Sequence, residues 1–244
     1  MSGIVRHRHP WRRVVRYSVM TVVVAALTGT LALAVQVRRV HVTGTSLYPA
    51  REVEQVLASA LGERVISTSA EELRDRTLQV PWVADAMIRL SLDGTVSCLV
   101  IERTPVAVAQ DGGARQLVDA SGRLLGDHEA PGQLLELRGF APYPAERGSI
   151  LATAQQLERF WGGRLVGIER LGARDVALSF ADTPFVVLAD PAEASLLGAA
   201  RAVTAAWTEK TKAAPQRVDA RVPGRVALLP APPPTPTPEP EGVA

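Results

Sequence analysis

The chain has 244 residues, 47% of them hydrophobic and 21% charged, and its formal net charge is +2. A balance so near neutrality excludes a phosphate-binding surface that rests on net charge, and no nucleic-acid partner is expected. Cys98 is the single cysteine, which excludes an internal disulfide, a CxxC redox pair and a cysteine-based zinc site.

Residues 1–17, MSGIVRHRHPWRRVVRY, hold Arg6, Arg8, Arg12, Arg13 and Arg16 and no acidic residue, and read as a basic tail. Residues 18–37, SVMTVVVAALTGTLALAVQV, are uncharged, and the run is about as long as an α-helix that crosses a hydrocarbon core of roughly 30 Å. The arginines ahead of it outweigh Arg38 and Arg39 behind it. The positive-inside bias therefore keeps the tail in the cytoplasm and exports everything downstream. Ala32-Leu33-Ala34 has the form of a signal-peptidase site, so a cleaved leader is the other reading. The run exceeds the roughly 7 to 15 apolar residues of a leader, which favours an uncut single-pass anchor.

Beyond the span, Val40 and Val42 alternate with His41 and Thr43 before Gly44, a short strand ending in a turn. Pro49 suits a first helical turn, and Val53, Val56, Leu57, Ala60 and Leu61 recur at helical spacing up to Gly62. Ser69 with Glu72 has the spacing of a capping box, opening a second helix in which Leu73, Arg76, Thr77 and Val80 continue the turn spacing and the apolar face is thin. Pro81 cannot extend that helix, so Trp82 starts a new direction and its indole is free to cover the junction. Ala84, Ala86, Ile88 and Leu90 then form one face of a strand. Asp93-Gly94 signals a two-residue hairpin, with TVSCLVIE as the returning strand.

After Thr104-Pro105 the elements shorten. VAVAQ, RQLVDASGRLL around a Ser121-Gly122 turn, and QLLELRGF read as strands. A helix is expected over Ser149 to Trp161, then two extended runs, RLVGIERLG and DVALSFADTPFVVLAD. A second helix over Glu193 to Lys210 presents Leu196, Leu197, Ala200, Val203 and Trp207. Val218, Ala220 and Val222 alternate with Asp219 and Arg221, and after Pro223-Gly224 the run Arg225 to Leu229 is again strand-like. Residues 230–244, PAPPPTPTPEPEGVA, lack the apolar content of a core and read as an extended or disordered tail.

Four signatures stand in order behind the basic-flanked span: V-x-V-x-G at Val40, Val42 and Gly44; P-W-V at Pro81, Trp82 and Val83; E-R-x-P-V-A at Glu102, Arg103, Pro105, Val106 and Ala107; and L-V-D-x-x-G, with Asp119 and Gly122. On these residues the segment from Arg38 to Ala109 resembles the POTRA domain of the bacterial division protein family FtsQ/DivIB. Ser91-Leu92-Asp93-Gly94 departs from the family, which commonly carries an aromatic and a proline in that turn. The fold expected is α+β: a single transmembrane helix over 18–37, a β-α-α-β-β POTRA domain over 38–105, and a β-rich domain over 106–229 with helices packed on an antiparallel sheet.

The resemblance implies a non-enzymatic scaffold of the division septum, in the cytoplasmic (inner) membrane with its C-terminal bulk outside. It implies FtsB/DivIC-like and FtsL-like bitopic coiled-coil partners, and through them FtsW and FtsI. It also implies that Val218, Asp219, Arg221, Arg225, Val226 and Leu228 form an edge where a partner adds a strand. Without the resemblance, the same segment reads rather as an ordinary edge strand blunted by Arg217, Arg221, Arg225 and Pro223. A POTRA-bearing transport or outer-membrane assembly factor is the alternative function, although such proteins usually carry repeated POTRA modules and a barrel.

Chemistry-bearing motifs point the same way. Asp119 two residues ahead of Ser121-Gly122 reads as a turn former that bonds its own backbone. Glu102 and Arg103 read as a structural ion pair or a solvated strand end. His41 and His128 lack the company a metal site needs. No G-x-S-x-G elbow, P-loop or H-E-x-x-H is present, and no cofactor is expected.

Overall fold

The computed structural model describes residues 15–24 and 35–232. Most of the basic tail, residues 25–34 of the expected span with Ala32-Leu33-Ala34, and residues 233–244 of the proline-rich tail lie outside the described residues. The chain divides into two compact units, Met1–Glu102 and Arg103–Ala244.

Residues 15–24 are helical and carry exposed apolar side chains, Met20 and Val22 among them. Among the described residues no helix is long and apolar enough to cross a membrane. The far end of the expected span is corrected: residues 35–37 are extended and belong to the folded unit. Val37 is 2% exposed, its N–H donates to the Glu63 carbonyl at 2.8 Å, and Gln36 bridges to Arg64.

The first unit is built from β1 (Arg39–Thr43), α1 (Ala50–Leu57), a 3-10 turn (Ala58–Ala60), α2 (Ala70–Thr77), β2 (Val83–Leu90) and β3 (Thr95–Glu102). Its sheet runs β1-β3-β2, with β1 parallel and β2 antiparallel to β3. Alternation buries Val96, Cys98 and Val100 of β3, while Val53 and Leu57 of α1 and Leu73 of α2 supply the other side of the core. The Ser69 hydroxyl caps α2 by accepting from the Glu72 N–H at 3.2 Å. Two local expectations are corrected. A register shift between Val83 and Asp85 buries Val83 and exposes Ala84, because a bulge breaks the period-2 alternation. The β2–β3 connection is the four residues from Ser91 to Gly94, closed by bonds from the Ser91 N–H to the Thr95 carbonyl and from the Gly94 N–H to the Ser91 carbonyl.

The second unit contains β4 (Pro105–Asp111), β5 (Ala114–Asp119), β6 (Leu124–Gly126), β7 (Leu135–Arg138), α3 (Pro144–Trp161), β8 (Leu165–Arg170), β9 (Val176–Phe180), β10 (Val186–Ala189), α4 (Leu196–Thr211), β11 (Pro215–Asp219) and β12 (Ala227–Pro230). They form one nine-stranded sheet, ordered β12-β11-β10-β9-β8-β7-β4-β5-β6. The sheet is mixed rather than antiparallel: β4 with β7, β7 with β8, and β10 with β11 are parallel pairs. Parallel neighbours need a crossover. α3 lies in sequence between β7 and β8, and α4 between β10 and β11.

Ile150, Leu157 and Trp161 of α3 and Leu197 and Ala200 of α4 share a core cluster with Leu137, Ile168, Leu178, Val187 and Val218 of the strands. Helix α3 starts earlier than the apolar spacing predicts, because Pro144 suits its first turn. On α4 the buried position is Thr204 and not Val203, which is 43% exposed. The Thr204 hydroxyl meets its hydrogen-bonding need within the helix by donating to the Ala200 carbonyl at 2.7 Å.

Candidate partner-binding edge

Among the described residues, β12 is a terminal strand of the sheet, hydrogen-bonded to β11 alone. Its register with β11 places Leu228 opposite Val218, Leu229 opposite Arg217 and Ala227 opposite Asp219. Val218 is fully buried, and Leu228 and Val226 are half-buried against the same core cluster. By the period of two along a strand, Ala227 and Leu229 point to the opposite face, and Leu229 is 44% exposed. The expectation that Val218 touches a partner is therefore corrected: its side chain is spent on the core. Sequence reasoning missed Leu229, although extending the alternation outward from the core-facing pair identifies it.

The hairpin that presents this edge is braced by charge. Arg221 donates from Nη2 to Asp219 Oδ2 at 2.7 Å and from Nε to Asp219 Oδ1 at 2.9 Å, while its Nη1 lies 3.4 Å from Asp175 Oδ2. The Arg221 bond holds the Asp219 carboxyl below the usual carboxylate range. Gly224 takes φ +72° in the turn, and the Arg225 N–H donates to the Val222 carbonyl. Arg225 is exposed. Thus all six residues expected at the edge lie on the hairpin, but in distinct roles. Val218 is core, Asp219 and Arg221 brace the strand end, Arg225 is solvated, and Val226 and Leu228 seal the underside of the edge.

The motif residues outside the hairpin are structural. Trp82 is fully buried, stacks on Tyr48 with centroids 5.0 Å apart, and donates from Nε1 to Glu52 Oε2 at 2.7 Å. The indole thus clamps the helix-to-strand junction after Pro81 onto α1. Gly44 adopts φ +88°, and a Cβ there would stand 2.2 Å from the Val100 carbonyl oxygen, so only glycine fits. Glu102 accepts from the backbone N–H groups of Ser46, Leu47 and Tyr48 and from the Ser46 hydroxyl. Burial pushes this carboxyl up, and the donors outweigh it, leaving the group below its ordinary value.

Arg103 donates to Asp119 Oδ2 at 3.0 Å, while Asp119 Oδ1 receives the Ser121 hydroxyl and the N–H groups of Ser121 and Arg123. Desolvation raises the Asp119 carboxyl and these bonds more than offset it. Pro105 opens β4 opposite Asp119. A Cβ on Gly122 would sit 2.5 Å from the Gly148 nitrogen. Arg147, 4% exposed, donates to the carbonyls of Gly122 at 2.8 Å, of Phe140 at 2.9 Å and of Ala141. Sequence reasoning missed this bolt between the β5–β6 turn and α3, since a helical arginine ordinarily faces water.

Residues 35–103 match the family model of the POTRA domain, FtsQ-type. A protein of Rhodothermus marinus called cell division protein FtsQ is 31% identical over 116 residues, 46% of this chain and 42% of that one. Proteins with the same name from Koribacter versatilis and Caulobacter vibrioides are 29% identical over 86 residues and 28% over 90. These two matches span 35% and 37% of this chain but only 25% and 30% of those proteins. The chain thus aligns with less than half the length of the curated relatives it matches. With the β1-β3-β2 sheet backed by α1 and α2, and with Gly44, Trp82 and Glu102 fixing its junctions, residues 35–103 are similar to the FtsQ-type POTRA domain, in a chain similar over part of its length to proteins called cell division protein FtsQ.

Proposed function

We propose that this chain is a single-pass scaffold of the bacterial divisome, which links early and late division proteins by binding and not by catalysis. The uncharged run before Val35 anchors it in the cytoplasmic membrane, with the arginine-rich tail inside and both folded units outside. Its partners are FtsB/DivIC-like and FtsL-like bitopic proteins, and through them it controls septal peptidoglycan synthesis by FtsW and FtsI.

The observation that carries this reading is the terminal strand β12. Among the described residues it has one strand neighbour, a firmly packed underside and exposed Leu229 on its other face. The backbone donors and acceptors on the outer edge of such a strand suit an extended peptide that adds a strand. The acidic groups that could suggest catalysis, Glu102 and Asp119, are already committed to several structural donors each. Anchoring all partners in one membrane raises their effective concentration, so modest affinities suffice.

The test is photo-crosslinking in cells from p-benzoylphenylalanine placed at Leu229, with the exposed α3 position Gln155 as the control. The expected product joins the chain to a small bitopic coiled-coil protein from Leu229 only. Absence of such a product, or equal yields from both positions, overturns the edge as the docking site.

A further inference from the structure

Two loops of the first unit flank the segment through which the chain enters its fold. On one side the Gly62 N–H donates to the Val37 carbonyl at 2.9 Å, the Val37 N–H to Glu63 at 2.8 Å and the Val65 N–H to the Val35 carbonyl at 3.0 Å. On the other, the Gly94 carbonyl accepts from the N–H groups of Arg38 at 2.7 Å and Arg39 at 3.2 Å. A Cβ on Gly94 would stand 2.4 Å from the Gln36 carbonyl oxygen, so that turn lies directly against the entering strand. Each loop carries apolar side chains in the open: Leu61 is 47% exposed, Ile66 63% and Leu92 71%. Arg38, Arg39 and Arg64 lie among them, opposed by Glu63 and by Asp93, which pairs with Arg39 at 3.3 Å.

Exposed isoleucine and leucine at loop tips beside arginines have no use in water, but they suit the boundary of a bilayer. Apolar groups there enter the acyl region while guanidinium groups stay at the level of the lipid phosphates. The occupant follows from the chain itself. Val35 is already bonded into the folded unit, and the uncharged run continues through Ala34 into it, so no linker separates the two. We infer that this end of the POTRA unit is seated in the lipid interface, with Leu61, Ile66 and Leu92 immersed and Arg38 and Arg64 meeting anionic headgroups. The inference rests on the membrane anchor of the proposed function. It adds that the unit is held upright on the bilayer instead of swinging on a tether, which fixes the height at which its surfaces meet partners.

The experiment uses the full chain in vesicles of phosphatidylcholine and phosphatidylglycerol, in a Cys98→Ala background. Single cysteines replace Ile66, Leu92 or Leu47 and carry an environment-sensitive fluorophore. Leu47 is exposed too, but its N–H bonds to Glu102 at the opposite end of β3, roughly 20 Å away at the rise of a strand. Quenching by nitroxide lipids several-fold stronger at Ile66 and Leu92 than at Leu47, and increasing with the phosphatidylglycerol fraction, is expected. Labels at all three sites quenched alike would overturn the inference. An alkaline carbonate wash of the same vesicles separates the two readings. Release of the chain overturns the anchor and the seating together, whereas retention with unquenched Ile66 and Leu92 labels overturns the seating alone. Leu61→Cys repeats the measurement should either label disturb its loop.

Discussion

At the scale of single residues, Trp82 shows how one side chain sets a junction. The ring is completely buried, and its polar edge is satisfied by Glu52. Trp82→Ala leaves a cavity and removes the indole donor to Glu52, and should cost about 3–5 kcal/mol in denaturant unfolding of the chain. Trp82→Phe keeps most of the packing and should cost much less.

Asp119 acts through charge. Its folded pKa is lowered, so its stabilising contribution is complete above the unfolded value of about 3.9 and fades as pH falls through the folded value. The stability gap between the native chain and Asp119→Asn should therefore be widest above about pH 4 and narrow in more acidic solution. Thermal melts of the two proteins across that range measure it; a gap that stays constant with pH would assign the loss to geometry alone. The role of Asp119 was legible from its distance to Ser121-Gly122, because an Asx turn is a local device. The Arg147 bolt was not, because its acceptors at Gly122, Phe140 and Ala141 are brought to it only by the tertiary fold.

Among the elements, periodicity located nearly every helix and strand, and it failed where a local irregularity or a distant partner decides the outcome. The Val83/Asp85 bulge turns Ala84 out of the face it was expected to share with Ala86 and buries Val83, and a bulge leaves no mark on hydropathy. The parallel pairing of β7 with β8 and of β10 with β11 was equally hidden, since the strands are short and the choice of neighbour is made by the crossover helix between them. The β11–β12 hairpin lies between these cases. Its strands were visible, but which residues face outward depends on a one-residue phase that the register settles.

That phase yields a paired prediction. Leu228→Arg forces a charge against the core cluster and should destabilise the second unit by about 2 kcal/mol. Leu229→Arg should alter stability by less than about 0.5 kcal/mol while weakening capture of the bitopic partner. Melting curves and co-purification measured side by side check the phase. Equal destabilisation by both substitutions would show that β12 is not an edge with one free face.

For the whole molecule, the proposed function makes association an event in two dimensions. Each compact unit carries its own hydrophobic core, so folding does not require the residues ahead of Val35. On the proposed function those residues confine the chain to the surface where its bitopic partners are held, and confinement of this kind can raise apparent affinity by roughly 10²- to 10⁴-fold without a new contact. Replacing residues 1–34 with an efficiently cleaved export signal should release a folded chain that begins at Val35. Its unfolding transition should match that of the anchored chain, yet it should fail to support division at native abundance and regain partner capture only when strongly overproduced. N-terminal sequencing of the native mature protein completes the comparison: a start at Met1 or Ser2 is expected. A native chain that already begins at Val35, or a released chain that divides cells as well as the anchored one, would mean that the hydrophobic run delivers the protein and does not hold it in place.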